Sequence, residues 1–322
     1  MAKSIALALL HQGLVRTKNE DNLYVLDSWV PIGDNREFER SAASSDPLQF
    51  YAVTDGMGGS GIGDLAAQTV LQLLDQQRRQ LHPGSRFDFV SFARDFVDRA
   101  NREVCRILAP YQGLPVGTTF SMLVVEHETA YTVSLGNSRV YLYRDNQLYR
   151  LTEDHINTMP DRRQLTRYLG LFQDDAMVDA ENMTRTALNK GDIFLLVSDG
   201  ITDYLTDENI AGRLAAPVAF VQQIRQLRNL ALEAGGGDNI SLIGVKIQNP
   251  SAREPAGSDA ARMTGGHRPP KIRGDAAALP NSRQHRWLRP LLFFLLFILL
   301  GLLLGKLIFS LPGWINSLLG HS

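Results

Sequence analysis

Acidic residues beside glycine, each next to an apolar run, are the residues of this chain best suited to chemistry. The pairs Asp55-Gly56 and Asp199-Gly200 each close such a run, and Asp238 lies between a triple glycine and the strand-like segment 240–245. Carboxylates supply oxygen ligands for hard cations, and a glycine leaves room for a backbone carbonyl and bound water. Because these corners contain neither His nor Cys, they indicate magnesium or manganese rather than zinc.

A fourth acid near the N-terminus has an arginine five positions before it. Arg16 precedes Asp21, and a strand-like segment follows at 23–26. The planar guanidinium can hold two phosphoryl oxygens at once, which suits phosphate chemistry beside a metal. Each corner alone also fits an ordinary turn, and Arg16 alone fits an exposed surface residue. The joint pattern favours a metal-dependent phosphate site.

Six motifs occur in an order typical of one enzyme family. They are R-x-x-N-E-D from Arg16, D-G-M-G-G from Asp55, G-T-T from Gly117, G-x-S-R-x-Y from Gly136, S-D-G from Ser198 and D-N-I from Asp238. With these motifs the chain resembles the metal-dependent protein serine/threonine phosphatases of the 2C type, and most closely their bacterial branch. The resemblance covers about residues 4–248. It implies an α+β fold, a four-layer α/β/β/α sandwich of two antiparallel sheets flanked by helices.

The resemblance also implies a role for each matching residue. Asp55 would bridge two Mn²⁺ or Mg²⁺ ions, and the carbonyl of Gly56 would bind the second ion. Asp199 and Asp238 would hold the first ion, and Asp21 would bind the second ion directly or through water. Arg16 would receive the substrate phosphate. Arg16, Asp21 and Asp55 are thus the predicted catalytic residues. A metal-bound water would attack phosphorus, so no protein nucleophile is needed.

Three positions depart from the family pattern. Asn137 stands where bacterial relatives carry an Asp that helps to hold a third ion, so that ion should be weakly held or absent. The other interpretation is that Asn137 replaces Asp in a turn and other acids compensate. Ser60 stands where a His is common, and it cannot transfer protons as His does. The short connection around Pro160 replaces a longer flap, which puts substrate contacts by a flap in doubt.

Hydrophobic periodicity predicts the elements that position these residues. We expect an amphipathic helix over 62–79 with Ile62, Leu65, Ala66, Val70, Leu73 and Leu74 on one face, followed by helices over 87–108, 207–214 and 218–233. The predicted strands are 5–10, 23–27, 50–54, 118–125, 130–135, 139–144, 193–197 and 240–247. A hairpin turn is expected at 144–147, and the lone Cys105 is expected to be a buried thiol in a helix.

The composition changes after residue 248. We predict a catalytic domain over 1–248, a disordered basic linker rich in Pro, Gly and Ala over 249–289, a transmembrane helix over 290–311 and a short tail over 312–322. The apolar run is long enough to span a bilayer, and Trp287 and Trp314 flank it at positions suited to the membrane interface. A core helix or an apolar dimerisation helix would be the other interpretations of this run.

The charge distribution and the cysteine content predict where in the cell the protein lies and which partners it has. Basic residues before the apolar run predict a single-pass protein of the bacterial cell membrane with a cytoplasmic catalytic domain, and they would also contact anionic lipid. The net charge of −1 gives no indication of nucleic-acid binding, and one Cys argues against a disulfide framework. Phosphorylated proteins are the expected partners, with a membrane serine/threonine kinase as one candidate. The alternative function is a phosphoprotein-binding signalling module that is weakly active or inactive.

Overall fold

The computed structural model describes residues 2–33, 36–58, 62–82, 86–111, 114, 116–159, 162–172 and 183–250. The strands are β1 (Lys3–His11), β2 (Asp21–Val25), β3 (Ser28–Trp29), β4 (Glu37–Ser44), β5 (Leu48–Met57), β6 (Gly117–Thr118), β7 (Phe120–Glu126), β8 (Thr129–Leu135), β9 (Arg139–Arg144), β10 (Gln147–Arg150), β11 (Ile156–Met159), β12 (Arg162–Leu165), β13 (Met183–Ala187), β14 (Ile193–Val197) and β15 (Ile240–Asn249). The α-helices are α1 (Gly63–Arg79), α2 (Phe89–Leu108), α3 (Asp199–Thr202), α4 (Asp207–Leu214) and α5 (Phe220–Glu233), and a short 3-10 turn (Ala109–Tyr111) follows α2.

Two antiparallel sheets form the centre of the domain. The first sheet has the strand order β10-β9-β14-β15-β1-β4. The second sheet has the order β13-β8-β7-β5-β2-β3, and β6 pairs with β5 beside it. Within the described residues, strands β11 and β12 pair only with each other. Every strand pairing in the described part of the chain is antiparallel, as expected for sheets built from short connections.

The strand β1 shows why the sheets stack face to face. Its alternate residues Ala6, Ala8 and Leu10 are buried in the core between the two sheets. Leu7 and Leu9 point the other way, into the core beneath α3, α4 and α5. A strand covered on both faces must be apolar at nearly every position, which is the pattern of this segment.

Helices cover the outer face of each sheet. The long helices α1 and α2 pack on the second sheet, where Phe92 and Phe96 of α2 lie against Phe50 and Phe120. Asp88 caps α2, because its side chain accepts hydrogen bonds from two backbone N–H groups of the first turn. Helices α3, α4 and α5 pack on the first sheet. The predicted four-layer arrangement of two antiparallel sheets flanked by helices is therefore confirmed.

Several details differ from the sequence-based expectation. Leu65, predicted on the buried face of α1, is 44% exposed. The segment around Pro160 contains the paired strands β11 and β12 on either side of residues 160–161, where only a connection was expected. The edge strands β4 and β13 were not predicted, because their polar, alternately exposed sequences carry no apolar run.

The predicted linker and transmembrane helix, over 249–289 and 290–311, lie beyond residue 250 and so almost wholly outside the described residues. Among the helices that the structure does describe, none is both long enough and apolar enough to cross a bilayer.

Candidate metal and phosphate site

The directions of the antiparallel strands place the predicted site residues at one edge of the sandwich. Asp21, the first residue of β2, lies directly opposite Asp55 near the end of β5. In the other sheet, Asp199 follows the end of β14, and Asp238 lies just before the start of the antiparallel strand β15. The end of one antiparallel strand lies beside the start of its neighbour. Residues from both sheets therefore meet at the same edge.

Asp21 lies deepest in this site. It is buried, and its Oδ2 accepts a hydrogen bond of 2.6 Å from the hydroxyl of Ser241 on the opposite sheet. Burial raises the pKa of Asp21 to about 7, although hydrogen bonds from Ser241 and Ser198 act in the other direction. The hydroxyl groups of the two serines therefore stabilise the charged form of the Asp21 carboxylate, which solvent does not reach.

Asp55 and Asp199 link the two sheets directly. Their carboxyl groups hydrogen-bond to each other, and this contact raises the pKa of Asp55 and opposes the rise in that of Asp199. Burial and the negative charge of Asp199 hold the pKa of Asp55 well above its ordinary value. Burial and the charge of Asp238 raise the pKa of Asp199 as well.

The backbone around Asp55 is fixed by the G-T-T motif. The N–H of Asp55 donates to Thr119 Oγ1 at 3.0 Å, and the carbonyl of Asp55 accepts from the Thr119 N–H at 2.8 Å. The hydroxyl of Thr118 donates to the same carbonyl at 3.0 Å. These bonds orient the Asp55 side chain, a role that the sequence alone did not assign to this motif.

Gly56 lies against the start of α1. A Cβ on Gly56 would stand 2.2 Å from the carbonyl oxygen of Gly63, and a Cβ on Gly63 would stand 2.6 Å from the carbonyl carbon of Gly56. The two backbones can approach this closely only because both residues lack a side chain. The contact holds the first turn of α1 beside the strand end that carries Asp55.

Arg16 lies at the rim of the site. Its Nη2 donates to Asp238 Oδ2 at 2.8 Å, and its side chain is 56% exposed. The hydrogen bond to Asp238 raises the pKa of the guanidinium, and the charges of Asp238, Asp55 and Glu20 act in the same direction. A guanidinium has five N–H donors. Arg16 therefore keeps donors for an incoming phosphate while it contacts Asp238.

Asn239 is a site residue that the sequence analysis missed. Its Oδ1 accepts from the Glu20 N–H at 2.9 Å, and its Nδ2 donates to the carbonyls of Gln12 and Lys18 at 2.8 and 2.9 Å. These three partners lie on the loop that carries Arg16. One buried amide thus holds both ends of this loop against the strand that begins beside Asp238. Only its place in the D-N-I motif could have drawn attention to it.

Replacing Asn239 by Asp should misplace Arg16. The carboxylate still accepts from Glu20 but cannot donate to Gln12 or Lys18, so two carbonyls lose a partner and a buried charge is added. We expect the KM for a phosphorylated substrate to rise about tenfold or more with a smaller change in kcat, together with weaker inhibition by inorganic phosphate. Steady-state kinetics of the two proteins would check this. Equal effects on KM and kcat, with unchanged phosphate inhibition, would contradict it.

His11 adds a pH dependence to the same loop. Its Nδ1 accepts a hydrogen bond of 2.9 Å from the Gly13 N–H, which requires the neutral ring. Burial lowers the pKa of His11, Glu37 raises it, and Arg228 and Arg36 lower it. A histidine with a lowered pKa contributes stability that is present above the unfolded value of 6.5 and is lost as the pH falls through the folded value.

His11→Asn should remove this contribution, because the Asn oxygen can accept the Gly13 hydrogen bond without titrating. Above pH 6.5 the difference in melting temperature between the two proteins should be constant. Below pH 6.5 the parent should lose about 1–2 °C relative to the variant. Thermal unfolding followed between pH 5 and 8 measures this difference. A difference that does not change with pH would show that His11 stays uncoupled from folding.

Asn137 belongs to the acidic cluster. Its Nδ2 donates to Asp199 Oδ2 at 2.8 Å, which lowers the pKa of that carboxyl and opposes the effect of burial. In the same motif, Arg139 forms a two-pronged ion pair with Asp154, at 2.8 and 2.6 Å. Ser60 lies outside the described residues, so its predicted effect stays a prediction.

In the described part of the chain, no group of three or more His, Cys, Asp or Glu side chains is arranged to hold a single ion. Magnesium usually keeps several waters and takes one or two carboxylates, so a cluster of paired carboxylates fits it better than it fits zinc. The assignment of individual ligands therefore stays a prediction from the sequence.

Comparisons with known proteins show which proteins this chain is similar to. A family model described as Protein phosphatase 2C matches residues 31–167, which include Asp55, Gly56 and Asn137. The serine/threonine protein phosphatase PstP of Mycobacterium tuberculosis is 27% identical over 244 residues, which are 72% of this chain and 43% of that protein. Protein phosphatase PhpP of Streptococcus pneumoniae is 24% identical over 239 residues, which are 68% of this chain and 94% of that protein.

A solved structure shows the same fold. The catalytic domain of PstP in complex with two manganese ions aligns with a TM-score of 0.58 and 25% sequence identity, covering 76% of this chain and all of that one. The chain thus spans less than half of the length of the PstP protein but the whole of its solved catalytic domain.

Proposed function

We propose that this chain belongs to the protein phosphatase 2C family of bacterial serine/threonine phosphatases and hydrolyses phosphoserine and phosphothreonine in proteins with two bound divalent cations. One observation carries the proposal. Asp21, Asp55, Asp199 and Asp238, from four strand ends in two sheets, meet at one edge of the sandwich with Arg16 at their rim. The guanidinium of Arg16 cannot by itself neutralise four carboxylates, so the site suits additional positive charge.

The electrostatics of the site fit divalent ions. Burial and mutual repulsion hold the pKa of Asp55 and Asp199 above the ordinary value, and that of Asp21 is about 7. A cluster of carboxylates that resists ionisation when empty gains most when cations replace its protons. The oxygen-only donor set suits Mn²⁺ or Mg²⁺. PstP, whose catalytic domain aligns with this chain, was solved with two manganese ions.

Each residue of the cluster has a distinct task in this proposal. In one sheet, the ions would be bound by Asp55, the carbonyl of Gly56 and Asp21. From the other sheet, they would be bound by Asp199 and Asp238. When bound, two divalent ions activate a water as the nucleophile and neutralise charge on the phosphoryl oxygens. Thr118, Thr119 and Ser241 keep the carboxylates oriented through the hydrogen bonds described above.

Arg16 would bind the substrate phosphate. Its exposed side chain lies beside Asp238, and its loop is fixed by Asn239, so the guanidinium is already oriented before substrate arrives. Preorganised donors stabilise charge without a cost of reorganisation during the reaction. Because Arg16 lies at the rim, the phosphate of a phosphorylated protein side chain could reach it without entering a deep cavity.

The alternative is a phosphoprotein-binding signalling module with weak or absent hydrolysis. Asn137 favours it to a limited degree, because an amide that donates to Asp199 cannot also serve as a charged ligand for a third ion. The four carboxylates that a two-ion reaction would need nevertheless lie at the same edge of the sandwich. We therefore favour the active enzyme, with a third ion weakly held or absent.

We also propose that residues 290–311 anchor the protein in the bacterial cell membrane, with the catalytic domain in the cytoplasm. The proposal is supported by the length of this apolar segment and by the basic residues that precede it. Leu296→Arg together with Leu300→Arg should make insertion unfavourable and move the protein from the membrane fraction to the supernatant. Unchanged membrane association of this variant would contradict the anchor.

Hydrolysis of an aryl phosphate tests the enzymatic proposal. The purified full-length protein should release product with Mn²⁺ and should show no turnover with a chelator. A panel of peptides that carry phosphoserine, phosphothreonine or phosphotyrosine then measures residue preference, and the first two should be hydrolysed faster. If Mn²⁺ gives no turnover above the chelated control, the binding module replaces the enzyme as the better interpretation.

Asn137→Asp tests the third position of the site. The new carboxylate lies where an amide now contacts Asp199, so it adds an oxygen ligand and a negative charge. We expect the Mn²⁺ concentration for half-maximal activity to fall or the turnover to rise, by roughly threefold to tenfold. The metal-free variant should melt below the metal-free parent because of charge repulsion. A metal titration and a melting curve that both match the parent would refute the role of Asn137.

A further inference from the structure

Two large apolar side chains are exposed beside the predicted phosphate-binding residue. Leu14 and Val15, which directly precede Arg16, are 65% and 69% exposed. Single exposed apolar residues are common on protein surfaces. These two are adjacent in sequence and lie at the rim of the acidic site, which gives them a position from which they can contact a substrate.

The backbone that carries them is held in place. The Leu14 N–H donates to the Gly236 carbonyl at 2.7 Å, and Gln12 Nε2 donates to the carbonyl of Arg16. Asn239 anchors the same loop through the carbonyls of Gln12 and Lys18. Leu14 and Val15 therefore stay exposed because of several hydrogen bonds, and burying them would break these bonds.

Leu14 lies beside a second apolar side chain. A Cβ on Gly236 would stand 3.0 Å from Leu14 Cγ and 3.2 Å from Leu232 Cδ2, so these two leucines flank the same glycine. Leu232 lies in the last turn of α5 and is partly exposed. We call the surface formed by Leu14, Val15 and Leu232 the apolar ledge.

We propose that the apolar ledge binds an apolar side chain of the substrate polypeptide close to the phosphorylated residue. The inference rests on the proposed function, because it takes Arg16 as the phosphate-binding residue. Leu14 donates its N–H to the carbonyl of Gly236, and Arg16 contacts Asp238 two residues further along the same segment. A peptide whose phosphate lies on Arg16 therefore has the ledge within reach of its neighbouring side chains. Burial of one apolar side chain there would favour substrates with Leu, Ile, Val or Met near the phosphoresidue.

A matched set of phosphothreonine peptides tests the ledge. Each peptide is Ser-rich and carries one Leu at one of the two positions on either side of the phosphothreonine, and an all-Ser peptide is the reference. With the full-length protein and Mn²⁺, we expect one Leu position to raise kcat/KM about tenfold over the reference. In the double variant Leu14→Ser, Val15→Ser, this ratio should fall to about twofold.

Val218→Ser is the control. Val218 is 43% exposed and lies before the first turn of α5, about 20 Å along the helix from Gly236. This variant should keep the parent ratio, and the melting temperatures of all variants should agree. A parent ratio near one at every position, or a double variant that keeps the parent ratio, would overturn the ledge.

The two proposals can fail separately. If the parent does not hydrolyse an aryl phosphate, the proposed function is wrong and the ledge falls with it. If the parent hydrolyses the aryl phosphate, and hydrolyses all the peptides with the same kcat/KM, only the proposal of the apolar ledge is wrong. Leu14 and Val15 then do not contact the substrate.

Discussion

Asp55→Asn should lower kcat by about 10³-fold or more while the protein stays folded. Asp55 lies at the centre of the cluster, opposite Asp21 in its own sheet and hydrogen-bonded to Asp199 of the other. An amide of the same size carries no charge and would hold divalent cations less well than a carboxylate, so the charge stabilisation that the ions would supply is lost. Effects of this kind amount to several kcal/mol. Initial rates of aryl phosphate hydrolysis in saturating Mn²⁺ measure the loss.

The metal-free variant should be as stable as the parent or more stable. Burial and the charge of Asp199 hold the pKa of Asp55 well above its ordinary value, so its ionisation opposes folding when no cation is present. Asn carries no charge and can still donate to Asp199. Melting temperatures in chelator therefore separate lost chemistry from lost structure. A variant that melts far below the parent would show that Asp55 supports the fold instead.

Asp145→Asn is the matched control for this loss of charge. Asp145 lies in the turn after β9, at the other end of that strand from the site, and its φ of 50° suits Asn as well as Asp. The same substitution there should leave both the rate and the melting temperature unchanged. Conversely, if Asp55→Asn keeps more than about a tenth of the parent rate, the two-ion account of the site is wrong.

The sequence could predict the elements whose signal is local. The strand Ile193–Val197 and the helix Asp207–Leu214 have the predicted bounds, because an unbroken apolar run and a capping residue mark their ends. The strand Glu37–Ser44 was missed, since it is an edge strand with alternate exposed polar residues. Its place depends on eight pairings with β1, and these come from the tertiary structure alone.

Part of the site was also predictable, because its motifs are local sequence patterns. Motif order indicated which acids belong together, and the structure places Asp55 and Asp199 within hydrogen-bonding reach across two sheets. Asn239 was missed because its partners Gln12 and Lys18 are more than two hundred residues away along the chain. No local pattern reveals such a contact. It becomes visible only when the loop that carries Arg16 lies beside the start of β15.

Gly200→Ala should damage the fold and the site together. A Cβ at position 200 would stand 1.8 Å from the backbone carbonyl oxygen of Asn239 and 2.9 Å from its carbonyl carbon. Neither atom belongs to a flexible side chain, so the backbone of α3 or of the segment before β15 must move. We expect a loss of about 2–4 kcal/mol in the free energy of unfolding, or roughly 5–10 °C in melting temperature. The S-D-G motif thus needs glycine at position 200 because the carbonyl oxygen of Asn239 occupies the space that a Cβ would take.

The same movement should reduce activity at least tenfold. Asp199 directly precedes Gly200, and Asp238 directly precedes Asn239, whose carbonyl oxygen the new Cβ would contact. Movement of either backbone would therefore displace the carboxylates of Asp199 and Asp238 from each other. Gly212→Ala is the matched control, because Gly212 lies within α4 with nothing near the position of a Cβ. That substitution should raise stability by about 0.5–1 kcal/mol and leave the rate unchanged. If Gly200→Ala matched this control in denaturant unfolding and in rate, the close contact between Gly200 and Asn239 would not be what keeps the two acids together.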